Sequence, residues 1–136
     1  MEPEGEGFKF IEHTADVMFE AYGKDFPEAI SNAAKAMFSI TGHANPKKKF
    51  VLEIESTSLE LLVVDTLAQL LAESDIREMV LSKIEVKKFD PNKFTLSLVA
   101  YGEHKPPRDS IKAVTYHELA VEKSPNGWRI QVLLDI

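Results

Sequence analysis

The sequence predicts an α+β fold: a single domain in which two helices pack on a largely antiparallel sheet, in the order β-β-α-β-α-β-β-β-β. Three observations point to it. Two segments carry apolar residues at helical spacing, Ala29 to Phe38 and Leu59 to Leu71. Most of the remaining apolar runs alternate or are rich in β-branched and aromatic residues, as strands are. Two turn signals, Asp90-Pro91-Asn92-Lys93 and Asn126-Gly127, join neighbouring strands late in the chain, and tight turns make antiparallel pairs. The length, 136 residues, suits one domain with its own core.

In chain order, residues 1 to 7 (Met-Glu-Pro-Glu-Gly-Glu-Gly) read as a disordered acidic tail, and the domain as residues 8 to 136. Residues 8 to 12 and 17 to 23 read as strands, separated by the polar insert His13-Thr14-Ala15-Asp16. Asp25 caps the first helix, with Glu28 three residues on as in a capping box, Pro27 tolerated in the first turn and Gly42 as the stop. Lys49 to Ser56 reads as a strand. Ser58 caps the second helix, whose wide apolar stripe of Leu59, Leu62, Val63, Thr66, Leu67, Leu70 and Leu71 predicts burial over much of its circumference. Val80 to Phe89 and Phe94 to Gly102 form a hairpin. Glu103 to Asp109 is a loop, because Pro106-Pro107 forbids helix and central strand. Ser110 to Lys123 reads as a long central strand and Trp128 to Ile136 as the last one.

Composition removes several functions. The absence of cysteine excludes disulfides, thiolate catalysis and cysteine-based zinc sites. A net charge of -6 argues against a protein that grips nucleic acid by itself. No apolar run is long enough for a membrane helix, and the acidic N-terminus has no signal-peptide core, so the expected compartment is the cytoplasm. No phosphate-binding glycine loop and no nucleophile elbow occurs.

Three segments carry polar groups where a strand would not need them. His13 to Asp16 interrupts two strands; it is either a turn or bulge held by Asp16, or a place where the polar groups are used. The last strand runs straight to Asp135-Ile136, which sets a terminal carboxylate beside a side-chain carboxylate; either the chain simply ends there, or that carboxylate is used. Two carboxylates about 4 Å apart repel by roughly 1 kcal/mol in water, and a hard divalent cation reverses that sign. Asp16 would complete an oxygen cage with Asp135 and Ile136. The third segment is Ile111-Lys112-Ala113-Val114-Thr115-Tyr116-His117. Strand alternation puts Lys112, Val114, Tyr116 and Glu118 on one face and Thr115 and His117 on the other, which is either a partly exposed strand or the border of a site.

Taken together, His13-Thr14-Ala15-Asp16-Val17, Ile111 to His117 and Val132-Leu133-Leu134-Asp135-Ile136 resemble the archease family. So do Ala21-Tyr22-Gly23, Glu28-Ala29, Asn32-Ala33-Ala34 and Ala36-Met37-Phe38, and the likeness runs over nearly the whole chain from Phe8. Two positions depart from the family pattern: Met18 stands where a small residue is usual, and Thr66 follows Asp65 where a Trp is frequent. The resemblance implies a protein cofactor, not an enzyme. Such a cofactor assists an RtcB-type RNA ligase in tRNA splicing, promotes guanylylation of the ligase and permits multiple turnovers. It also implies a divalent cation, calcium, on Asp16, Asp135 and Ile136, and a further functional position at Lys112, with His13, Thr14 and His117 beside these as partner-facing residues. The tRNA would be met only through the ligase. The alternatives are a metal-dependent hydrolase using Asp16 and Asp135 with Lys112, and a chaperone-like binding module.

Overall fold

The structure is a computed structural model that describes residues 7–12 and 16–136. The elements follow the order read from the sequence: β1 (Phe8–Ile11), β2 (Val17–Gly23), α1 (Phe26–Thr41), β3 (Lys48–Glu55), α2 (Leu59–Arg77), β4 (Met79–Asp90), β5 (Thr95–His104), β6 (Ala113–Ser124) and β7 (Gly127–Asp135). Residues 1–6, most of the expected tail, lie outside the described residues. Gly7 accepts a hydrogen bond from the main-chain N–H of Tyr22 at 2.8 Å, which extends the β1–β2 pairing by one step.

The strands form two antiparallel sheets where the sequence suggested one. The first has the order β1-β2-β7-β6 and the second β3-β5-β4. Both helices touch strands of both sheets: α1 packs on β1, β2 and β7 of the first and β4 of the second, and α2 on β6 and on all of the second sheet. One core therefore serves the molecule, with Phe19, Ile130 and Leu134 from the first sheet, Leu96 and Leu98 from the second, and Ile30, Met37, Leu62, Leu67 and Leu70 from the helices all buried. Phe26, in the first turn of α1, joins the two sheets. Its ring stacks on Phe89 of β4 at 4.6 Å and meets Trp128 of β7 edge-on at 5.6 Å. Such aromatic pairs add about 0.5–1.5 kcal/mol each beyond the area they bury.

Local signals behave as expected. Asp25 accepts from the Glu28 N–H at 2.8 Å, and the Glu28 carboxylate reaches back to the N–H of Lys24 at 2.7 Å, one residue before the cap. Ser58 accepts from the Leu61 N–H at 3.1 Å. Gly42 ends α1 at φ 140°, a left-handed-side value that favours glycine. Asp90 accepts from the N–H groups of Asn92 and Lys93, which shapes the β4–β5 turn. Ser124 pairs with Gly127 across Pro125 and Asn126. A Cβ on Gly127 would stand 2.4 Å from the carbonyl oxygen of Gly23, so this close approach requires glycine.

The late strand differs most from expectation. β6 starts at Ala113, not Ser110, and it is an edge strand, not a central one. Its register with β7 jumps between Thr115–Leu133 and Ala120–Gln131, so four residues, Tyr116 to Leu119, stand opposite Val132 alone. Glu118 adopts φ 54°, uncommon for a residue with a side chain. Strand alternation therefore stops at Thr115, and the expected sharing of faces by Tyr116, His117 and Glu118 does not hold. Edge strands tolerate such bulges because one side of the ladder has no neighbour to disrupt, and the kink discourages further strands from adding.

Candidate functional site

The register of the first sheet decides what meets at one end of it. Val17 opens β2 and pairs with Leu134 of β7. The next residue outward on each strand is Asp16 on one side and Asp135 on the other, followed by Ile136. Asp135 pairs with Ala113 on β6, and the main-chain N–H of Lys112 donates to the Asp135 carbonyl oxygen at 2.8 Å. Asp16, Lys112, Asp135 and Ile136 are thus brought to one sheet end from three segments more than 20 residues apart in the chain. On the main chain Asp16 is a bend immediately before β2. Lys112 and Asp135 are exposed, Asp16 is half-buried and Ile136 is exposed at 43%.

His13 and Thr14 lie outside the described residues. His117 is exposed and sits in the bulge, out of register with the Asp135 end, with Nε2 3.3 Å from the Glu118 carboxylate. The bulge itself is well tied: the Thr115 hydroxyl donates to the Leu133 carbonyl at 3.0 Å, the His117 N–H donates to that hydroxyl at 3.3 Å, and the Gln131 amide donates to the Glu118 carbonyl at 2.8 Å.

The donor set fits a hard cation in kind. The side chains at the sheet end are two carboxylates, and the third acidic group of the expected set is the main-chain carboxylate of Ile136. Ions such as calcium take oxygen ligands from carboxylates, carbonyls and water. Among the described residues no group of three or more His, Asp or Glu side chains could hold an ion. The expected set thus counts two described side chains, Asp16 and Asp135, with Ile136 as its third member.

Beside this end, Phe10, Val17, Ile40 and Ile136 wall a cleft of about 600 Å3 whose polar rim includes Ser39 and Arg108. Sequence reasoning missed Arg108. Its Nη2 donates to the carbonyl oxygens of Ser39 at 2.9 Å and Ile40 at 3.3 Å, and its main-chain N–H donates to that of Thr41 at 2.7 Å. The signal that could have found it is the last turn of α1, which holds no basic residue of its own.

Away from that end, the solvent face of the first sheet carries an ion-pair network. Arg129 bridges Glu20 at 2.7 Å and Glu122 at 2.9 Å, and Lys9 stands 3.6 Å from Glu20. Burial pushes the Glu20 carboxyl up, but the Tyr22 hydroxyl, Arg129 and Lys9 together outweigh it and hold the group below its usual range.

The molecule is a two-sheet α+β domain with Asp16, Lys112, Asp135 and Ile136 at one end of the first sheet. Residues 8–136 match the family model of the Archease protein family. The chain is 36% identical over 146 residues to the protein archease of Methanosarcina acetivorans, covering all of both chains, and 37% identical to that of Pyrococcus abyssi, covering 95% of this chain and 98% of that one. It belongs to the archease family. The solution structure of protein 1598 of Methanobacterium thermoautotrophicum superposes with a TM-score of 0.79 at 33% identity, over 96% of this chain and 99% of that one. The crystal structure of a Thermotoga maritima protein, described as an archease and possible chaperone, shares the fold with a TM-score of 0.71 at 22% identity, over 94% of this chain and 96% of that one. No described helix is long and apolar enough to cross a membrane.

Proposed function

We propose that this protein is a cytoplasmic protein cofactor of an RtcB-type RNA ligase, promoting ligase guanylylation and repeated turnover in tRNA splicing, and not itself an enzyme. Membership of the archease family supports this reading. The observation that carries the site is the Val17–Leu134 pair, which brings Asp16 and Asp135 to one sheet end beside Ile136. Asp16, Asp135 and the Ile136 carboxylate would hold a divalent cation, calcium as the family resemblance implies. Bound there, the cation would offset carboxylate repulsion and offer a positive charge to phosphate oxygens of the ligase-bound nucleotide. Lys112, exposed and held at the same end through its main chain, adds a mobile ammonium for a phosphate or an acidic group of the ligase. The net charge of -6 fits a role in which the ligase, not this chain, holds the tRNA.

The test is an RNA-ligation assay with a separate readout of ligase guanylylation, run with and without this protein. Faster guanylylation and a rise from single to multiple turnovers is expected. Equal ligase activity with and without the protein would sink the reading. The hydrolase alternative has less support, because Asp16, Asp135 and Lys112 offer no evident general base and calcium is a poor activator of water.

A further inference from the structure

We infer that Arg108 is a positioning residue for the acidic sheet end: it fastens the 105–112 loop to the C-terminus of α1 and so fixes Lys112 and the Asp135–Ile136 terminus. The inference deepens the proposed function and rests on it.

Helix C-termini leave four carbonyl groups without intrahelical partners and carry partial negative charge. α1 has no basic residue in its last turn. Arg108 arrives from 67 or more residues away in the chain and serves three successive carbonyls, of Ser39 and Ile40 with Nη2 and of Thr41 with its N–H. The Asp109 carboxylate lies 3.3 Å from Nε of the same guanidinium. Pro106 and Pro107 stiffen the approach. Three residues on, Ile111 is buried in the core, and the next N–H, that of Lys112, bonds to the Asp135 carbonyl. The loop is thus pinned three times within five residues, on helix, core and sheet end in turn. Arg108 and Ile136 also line the same cleft. Arg108 is itself exposed, so the clamp lies outside the core and its loss leaves the packed interior intact. One nitrogen, Nη2, donates to both carbonyls while Nε lies near Asp109; a lysine brings the charge and the N–H groups of one nitrogen but cannot meet both places at once.

The experiment compares Arg108→Ala and Arg108→Lys with the unsubstituted protein by amide hydrogen exchange, calcium titration calorimetry, thermal melting and ligase activation. In Arg108→Ala, faster exchange of the Lys112 amide is expected, with exchange at Phe19 and Val132 unchanged. Calcium affinity should fall about 10-fold, as when a group that orients metal ligands is removed. Activation should fall with it while melting moves little, and Arg108→Lys should recover part of the affinity. Unchanged exchange at Lys112 would overturn the inference. So would faster exchange with full calcium affinity and full activation, or a uniform rise in exchange that marks general destabilisation. A failure of the underlying function shows differently: the unsubstituted protein would itself bind no calcium and activate nothing, and the positioning role would fall with it.

Discussion

The main-chain N–H of Lys112 donates to the carbonyl oxygen of Asp135 at 2.8 Å, one residue before β6 begins to pair. Lys112 therefore holds the sheet end through its backbone while its side chain stays exposed. The two contributions separate by substitution. Lys112→Ala keeps the N–H and removes only the ammonium, so melting should shift by no more than about 0.5 kcal/mol, as for other exposed sites. Ligase activation should fall. Lys112→Pro removes the N–H as well, so calcium affinity should fall in that variant even if Lys112→Ala keeps it. Normal ligase activation by Lys112→Ala would return the side chain to a solvated lysine.

Asp16→Asn and Asp135→Asn each remove one acidic ligand while keeping side-chain size. Either should weaken calcium binding in calorimetry by an order of magnitude or more, and the two should not be additive if both touch one ion. Strictly additive losses in the double variant would mean two independent sites. Stability without calcium should hold or rise slightly, because repulsion between the carboxylates is relieved.

A glycine-serine extension after Ile136 displaces its carboxylate but leaves the β7 pairs from Trp128 to Leu134 in place. The extended protein should melt within about 0.5 kcal/mol of the original, yet lose calcium affinity and ligase activation together. Full activation by the extended protein would remove the Ile136 carboxylate from the mechanism.

The nine elements were legible because each is locally signalled. Asp25 and Ser58 start helices by accepting from N–H groups three residues on, and Gly42 ends one by adopting a backbone most residues avoid. Sheet membership was not legible. The alternation of β3, β4 and β5 is the same whether they extend the first sheet or form a second, and the choice lies in long-range packing against α1 and α2. Polar residues on both sides of Tyr116 were a real signal, but of an edge-strand bulge and not of a central strand. At the site, Asp135 and Ile136 stood out because strand ends seldom carry paired carboxylates. Arg108 did not, since its partners are main-chain carbonyls 67 or more residues away, and the one hint, a last turn of α1 without a basic residue, does not say which residue fills the gap.

The Glu20 carboxylate gives the fold a dependence on acid. Its folded pKa lies below the ordinary 4.5, because Tyr22, Arg129 and Lys9 outweigh the effect of burial. A depressed carboxyl pKa contributes stability that is present above the unfolded value and lost as pH falls through the folded one. Glu20→Gln should cost about 1 kcal/mol at pH 7, the lower side of what a hydrogen bond to a charged group contributes, because the pair is partly screened by solvent. The gap between the two proteins should narrow as pH drops below 4.5. Urea melts at pH 7 and pH 3.5 measure it; a gap that stays constant or widens in acid would refute the assignment.

Thr66 is the remaining anomaly of the interior. It is fully buried in α2, and among the described residues its hydroxyl is the buried side-chain polar atom without a hydrogen-bond partner. A threonine inside a helix commonly donates to the carbonyl four residues back; here that bond is not made. Leaving a buried hydroxyl unsatisfied costs about 1–3 kcal/mol. Thr66→Val keeps the branched shape and removes the polar atom, so it should stabilise by about 1 kcal/mol, a rise in Tm of roughly 4 °C for a chain of this size. Thr66→Trp, which restores the side chain frequent in the family, should do the reverse. Neighbours in α2 such as Val63, Leu67 and Leu70 are fully buried around this position, and overpacking of that kind costs about 1–3 kcal/mol. Thermal melts of both variants decide the matter. A Thr66→Val protein less stable than the original would show that the hydroxyl is satisfied in solution, and a Thr66→Trp protein more stable than it would show room in the core beside α2.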